Sequence, residues 1–184
     1  MKKNITVIKG DGIGPGVSEE VFCRGFATSN LMRIWKDKLN RIFLSVLVSG
    51  AAFGLLHAVN VIVTGDAFAA IIQVIYTAAI GIFYGAVFVR SRNIWGVIIM
   101  HTLTDVSAFI AVFDGNVTGM DIAFCAVGSL IFIAIALYLI RPAKRAEIDA
   151  LWEDGWSFGD ENGKTHAGAK AAAVVSAVVV IAFA

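Results

Sequence analysis

A chain of 184 residues in which AVILMFWYC make up 58% has too little polar surface to cover a soluble globule, because soluble domains reach only roughly 45–50% with glycine counted. Its formal net charge of +1 supplies no bulk field for nucleic acid or an acidic partner. Cys23 and Cys125 lack metal-ligand spacing and define neither a disulfide framework nor a redox compartment.

The opening stretch differs from everything after it. Residues 4–10 (Asn-Ile-Thr-Val-Ile-Lys-Gly) read as a short strand, and Asp11-Gly-Ile-Gly-Pro-Gly16 reads as a Gly/Pro turn. This stretch resembles the start of isocitrate and isopropylmalate dehydrogenases, where a strand leads into Gly-Asp-Gly-Ile-Gly-Pro; it departs at Gly16, where that family usually has Glu. The long soluble α/β chain such an enzyme needs does not follow. Residues 1–16 are therefore expected to be a leader without a part in the chemistry, and residues 17–184 to form the functional bundle.

From Val17 to Trp35 the pattern is helical but carries Glu19, Glu20, Arg24 and Arg33. Four runs then follow, 42–63, 67–89, 94–113 and 120–140, each of about the 20 apolar residues a helix needs to cross hydrocarbon. The stretch 141–167 is polar and reads as a loop with an interfacial helix in part. The Ala/Val-rich 168–184 is expected to be a fifth span. Basic residues cluster at Arg33–Arg41, Arg90–Arg92 and Arg141–Arg145, while Asp66 and then Asp114, Asn116 and Asp121 occupy the alternate connections. That alternation fits an all-α, up-and-down membrane bundle with its basic loops in the cytoplasm.

An ionisable residue inside a span is costly and is a functional-site hypothesis by default. Three constellations stand out. Glu20 and Arg24 are four apart and can pair on one helical face, which leaves Glu19, rotated about 100° away, free of that partner. Phe53 and His57 are four apart, as are His101 and Asp105, so the carboxylate of Asp105 can orient His101. Counted at about 1.5 Å per residue from the basic helix ends, Glu19 lies roughly 21 Å deep, His57 roughly 24 Å, and His101 and Asp105 roughly 14 and 20 Å. All fall near one level. Taken singly, Glu20–Arg24 reads as a structural ion pair and His57 as an interhelical hydrogen bond; together at one depth they favour a functional centre.

The ordered set Glu19-Glu20-x-x-x-Arg24, Phe53-x-x-x-His57 and His101-x-x-x-Asp105 resembles the signature of the CAAX protease and bacteriocin-processing (Abi) family of intramembrane proteases. Members carry several membrane helices before the first motif, which here begins at Glu19, so the chain is expected to lack them. The resemblance implies an integral protein of the bacterial plasma membrane that cleaves peptide or membrane-protein substrates in the lipid bilayer, with no nucleic-acid partner. It implies catalytic roles for Glu19, Glu20, Arg24, His57, His101 and Asp105. Glu19 would be the general base and His57 its partner. His101 and Asp105 would serve either on the oxyanion side or, with Glu19 and His57, as zinc ligands; a metal-free, glutamate-activated water is the other reading. Asp105 cannot donate to an oxyanion when ionised, which leans toward metal binding or toward holding an imidazolium. A silent membrane scaffold or bacteriocin self-immunity factor is the alternative function, and a proton-relay transporter is disfavoured because no inverted repeat is visible.

Overall fold

The computed structural model describes residues 13–111 and 118–153. Among the described residues all regular structure is helical. The order is α1 (Ile13–Glu20), a π-helical segment (Val21–Thr28), α2 (Ser29–Ile34), α3 (Arg41–Leu56), a 3₁₀ turn (His57–Val59), α4 (Asn60–Thr64), α5 (Ala67–Ser91), α6 (Ile94–Ala111), α7 (Gly119–Leu139), a second 3₁₀ turn (Pro142–Lys144) and α8 (Arg145–Glu153). The strand expected at 4–10 and the span expected at 168–184 lie outside the described residues.

Three segments are long and apolar enough to cross a membrane: Arg41–Ile62, Ala67–Ser91 and Gly119–Leu139. The span expected at 94–113 corresponds to α6 (Ile94–Ala111), which is apolar over Ile94–Val106 among the residues whose side chains are described. Two further differences concern the N-terminal region. Ile13–Gly16, expected as part of a turn, is helical and forms the first turn of α1, so the boundary drawn at residue 16 falls inside a helix. Val21–Thr28, expected as an ordinary α-helix, is π-helical. Thr28 and Ser29 hydroxyls donate to the carbonyls of Cys23 and Arg24, five residues back, and Gly25 sits mid-segment with its low helical preference; side-chain competition for carbonyls is one way a ladder is loosened.

Local chemistry sets the turns. Gly65 takes φ +71° and closes α4, and Asp66 then caps α5 by accepting from the Phe68 and Ala69 amides at 2.9 and 3.0 Å. At α7, Thr118 and Asp121 form a reciprocal capping box. Asp66 and Asp121, read from sequence only as loop charges, thus start helices.

α5 is the central element and packs most extensively on α3 and α7. The α3–α5 contact depends on missing side chains. A Cβ on Gly54 would lie 2.5 Å from the Ala78 Cβ and 2.7 Å from the Val74 carbonyl oxygen, and one on Gly50 would lie 2.6 Å from the Ile82 amide nitrogen. Gly81 faces the Gly50 carbonyl, with 2.9 Å left for a Cβ. Two Gly-x-x-x-Gly patterns, Gly50–Gly54 and Gly81–Gly85, therefore interlock, the packing that lets membrane helices approach backbone to backbone. α7 leans on α5 through Tyr76, Phe132 and Phe83, with ring centroids 6.2 and 5.3 Å apart. Its other face is open, with Met120, Phe124 and Leu130 at 80%, 72% and 69% exposure, as a lipid-facing helix requires.

α8 docks on the basic ends of α3 and α5. Ile148 is fully buried, the Trp152 indole donates to the Val89 carbonyl at 2.9 Å, Arg41 pairs with Asp149 and Arg90 with Glu147 at 2.9 Å. The polar 141–167 stretch thus contains a docked amphipathic helix. Arg90, with Lys144 second, holds the Glu147 carboxyl down to about 2 from its usual 4.5. Because its folded-state value is depressed, this contribution to docking is fully present above about pH 4.5 and is lost as pH falls toward about 2. The Trp152 component of the fluorescence, identified by difference from Trp152→Phe, should stay flat from neutrality to about pH 4.5 and decline below it. Glu147→Gln should remove that acid limb.

Candidate active site

The π-helical segment carries Arg24 into the bundle interior, where Glu20, Arg24 and Thr28 are all fully buried. Arg24 Nη1 lies 3.1 Å from Glu20 Oε1, and Nη2 donates to the Gly81 carbonyl at 2.9 Å. Its guanidinium carbon is 4.5 Å from the Phe53 ring centroid and 5.5 Å from that of Tyr84. Two aromatic faces thus supply part of the solvation that water gives a free cation. Gly81 is close enough to accept because the glycine packing brings α5 against α3.

Glu20 uses the same oxygen a second time. His101 Nδ1 lies 2.9 Å from Glu20 Oε1, while Nε2 lies 3.4 Å from Asp105 Oδ1 and 3.7 Å from Glu19 Oε2. Each His101 nitrogen faces carboxylate oxygens, which when ionised only accept, so the ring is matched as a donor on both sides. Glu19 is within electrostatic reach of His101, His57, Asp105 and Glu20. Exposure separates the two glutamates: the Glu19 side chain is 34% exposed and that of Glu20 0%.

His57 stands where α3 tightens into the 3₁₀ turn. Its Nδ1 lies 2.9 Å from the Phe53 carbonyl; a carbonyl accepts, so Nδ1 is the donor of that bond. Phe53 joins the two imidazoles, with ring centroids 4.9 Å from His57 and 5.4 Å from His101. Five of the six residues expected from sequence are linked at ion-pair distances, and His57 is not among them. Glu20, Arg24 and His101 form the buried part, Glu19 and Asp105 the open part, and His57 adjoins through Phe53.

Among the described residues no group of three or more His, Cys, Asp or Glu side chains is arranged to hold a metal ion. Of the set Glu19, His57, His101 and Asp105, His101 Nε2 points toward Glu19 and Asp105, while His57 has its Nδ1 on a backbone carbonyl.

Three contributors are absent from the sequence reading. Tyr84 supplies the second aromatic face on Arg24, and Gly81 its carbonyl; the Gly-x-x-x-Gly patterns inside apolar runs were the signal for the close approach that makes the latter possible. Gly16 is the third. A Cβ there would lie 3.5 Å from Asp105 Oδ2 and 3.7 Å from the His101 ring, so the end of the dehydrogenase-like stretch lies against the site.

Fold and site together define a polytopic membrane protein with a buried acid–imidazole centre. Over residues 4–107, more than half of the chain, the sequence matches the family model described as type II CAAX prenyl endopeptidase Rce1-like, and the chain belongs to that family of membrane endopeptidases. The matched stretch contains all six site residues and begins ahead of α1. No curated protein and no solved structure matches the chain.

Proposed function

We propose that this chain is an intramembrane endopeptidase in which Glu19 activates water for attack on a peptide bond. The observation that carries the reading is the division of labour between adjacent carboxylates. Glu20 is fully buried, with Oε1 shared by Arg24 and His101, whereas Glu19 is partly exposed and directed at the same imidazole. A general base must reach both water and substrate, and Glu19 is the carboxylate that can.

The residues support a simple sequence of steps. Glu19 takes a proton from water as the water oxygen bonds to the scissile carbonyl carbon, with His57 alongside to help hold the water. Negative charge moves to the carbonyl oxygen. His101 Nε2, held more loosely by Asp105 than Nδ1 is by Glu20, is the donor for that oxyanion. Asp105 and Glu20 keep the ring oriented. When the C–N bond breaks, Glu19 returns its proton to the leaving amine.

Purified protein in bilayer nanodiscs, offered a prenylated CAAX peptide and an unprenylated bacteriocin leader peptide, should cleave at least one at an internal peptide bond. Stoichiometric binding of either peptide with no cleavage would support the silent-scaffold reading and remove the enzymatic one.

A further inference from the structure

Tyr84 belongs to none of the three motifs, yet it touches both halves of the site. It is 2% exposed on α5, its ring lies against the Arg24 guanidinium, and its centroid is 5.7 Å from that of His101. Its hydroxyl is 2.7 Å from Thr104 Oγ1 on α6. The direction of that bond follows by elimination. Thr104 spends its single hydroxyl proton on the Met100 carbonyl at 3.0 Å, so toward Tyr84 it accepts and Tyr84 donates.

Thr104 is three residues beyond His101 and lies beside it on one surface of α6. A bond held at Thr104 fixes the rotation of α6 about its own axis, and so fixes where the His101 ring points. Among the described residues α6 packs much less extensively on α5 than α3 or α7 does, so a polar tie from α5 has a large share in setting that rotation. We propose that Tyr84 is a positioning residue for peptide hydrolysis: through Thr104 its hydroxyl holds His101 in register with Glu20 while its ring holds Arg24. The kinetic part of this proposal rests on the functional reading above; the geometric part does not.

Tyr84→Phe keeps the ring and strands no partner, because Thr104 retains its bond to Met100, so the variant should fold. On a prenylated CAAX peptide, kcat should fall roughly two- to tenfold, the worth of one ordinary hydrogen bond expressed as rate, with KM unchanged. Thr104→Val should slow turnover similarly, Thr104→Ser should restore it, and the Tyr84→Phe/Thr104→Val double variant should be no slower than the slower single, since both remove one bond. An independent readout is nitrogen-15 NMR of the His101 ring, whose N–H protons should exchange at least about fivefold faster in Tyr84→Phe. Wild-type kcat in Tyr84→Phe, additive losses in the double variant, or unchanged ring-proton exchange would each overturn the proposal. If wild-type protein cleaves no peptide, the endopeptidase reading falls and the exchange measurement alone decides the positioning role.

Discussion

Glu19→Gln should abolish turnover while the protein stays folded and still binds its peptide. General-base catalysis contributes about 10²–10⁴-fold to a rate, and glutamine keeps the shape of the side chain without its basicity. The partly exposed position of Glu19, at 34%, means that the substitution leaves no buried cation unpaired. The neighbouring Glu20→Gln should behave differently. Glu20 Oε1 serves both Arg24 and His101 inside the bundle, and removing one member of a buried pair typically costs about 3–5 kcal/mol because the other charge is left uncompensated. Peptide cleavage measured beside thermal unfolding separates the two. Full activity in Glu19→Gln would remove the proposed base, and equal loss of activity with equal destabilisation in both variants would favour a purely structural acid pair.

The second large effect is expected at Gly54. A methyl group there would sit 2.5 Å from the Ala78 Cβ, 2.7 Å from the Val74 carbonyl oxygen and 2.8 Å from the Ala78 Cα, so α3 and α5 must move apart to admit it. Overpacking of this kind costs about 1–3 kcal/mol, and Gly54→Leu should exceed that range. The damage should reach the chemistry, because neighbouring Phe53 stacks on Arg24 and Gly81 accepts from it. Ala78→Gly should rescue Gly54→Ala only in part, since the Val74 carbonyl remains in the way. Gly96→Ala is the control: nothing lies within 4 Å of its Cβ position, and replacing a helical glycine by alanine at an open site is neutral to stabilising by up to about 1 kcal/mol. Thermal unfolding in detergent, followed with activity, would test the series; a Gly54→Ala protein as stable as Gly96→Ala would contradict the packing argument.

The membrane class and the proximity of Glu19, Glu20, Arg24, His101 and Asp105 were legible in the sequence for physical reasons. Run lengths at Arg41–Ile62, Ala67–Ser91 and Gly119–Leu139 report bilayer thickness directly, and counting residues from the basic ends brought Glu19, His57, His101 and Asp105 to one level. The four-residue spacings of Glu20–Arg24 and His101–Asp105 gave real contacts. What escaped was of another kind. The π-helical segment arises from how hydroxyls and carbonyls compete along Val21–Thr28, which hydropathy does not report. The Tyr84–Thr104 bond and the aromatic faces on Arg24 need the rotation of α5 and α6 about their axes. Gly16 escapes because the dehydrogenase-like pattern groups it with residues 1–16, whereas α1 runs from Ile13 through Glu20.

The interlocked glycines of α3 and α5 also bear on the order of assembly. These helices are close in the chain, joined through the 3₁₀ turn, α4 and a short turn at Gly65–Asp66, so they can pair as a local hairpin soon after insertion. The site cannot form so early. Its defining contact, Glu20 to His101, joins residues 81 apart and waits for both α1 and α6 to dock on that hairpin. The acid–imidazole centre is thereby tied to a long-range step of assembly, and a nascent or partly inserted chain has the paired helices before it has the centre.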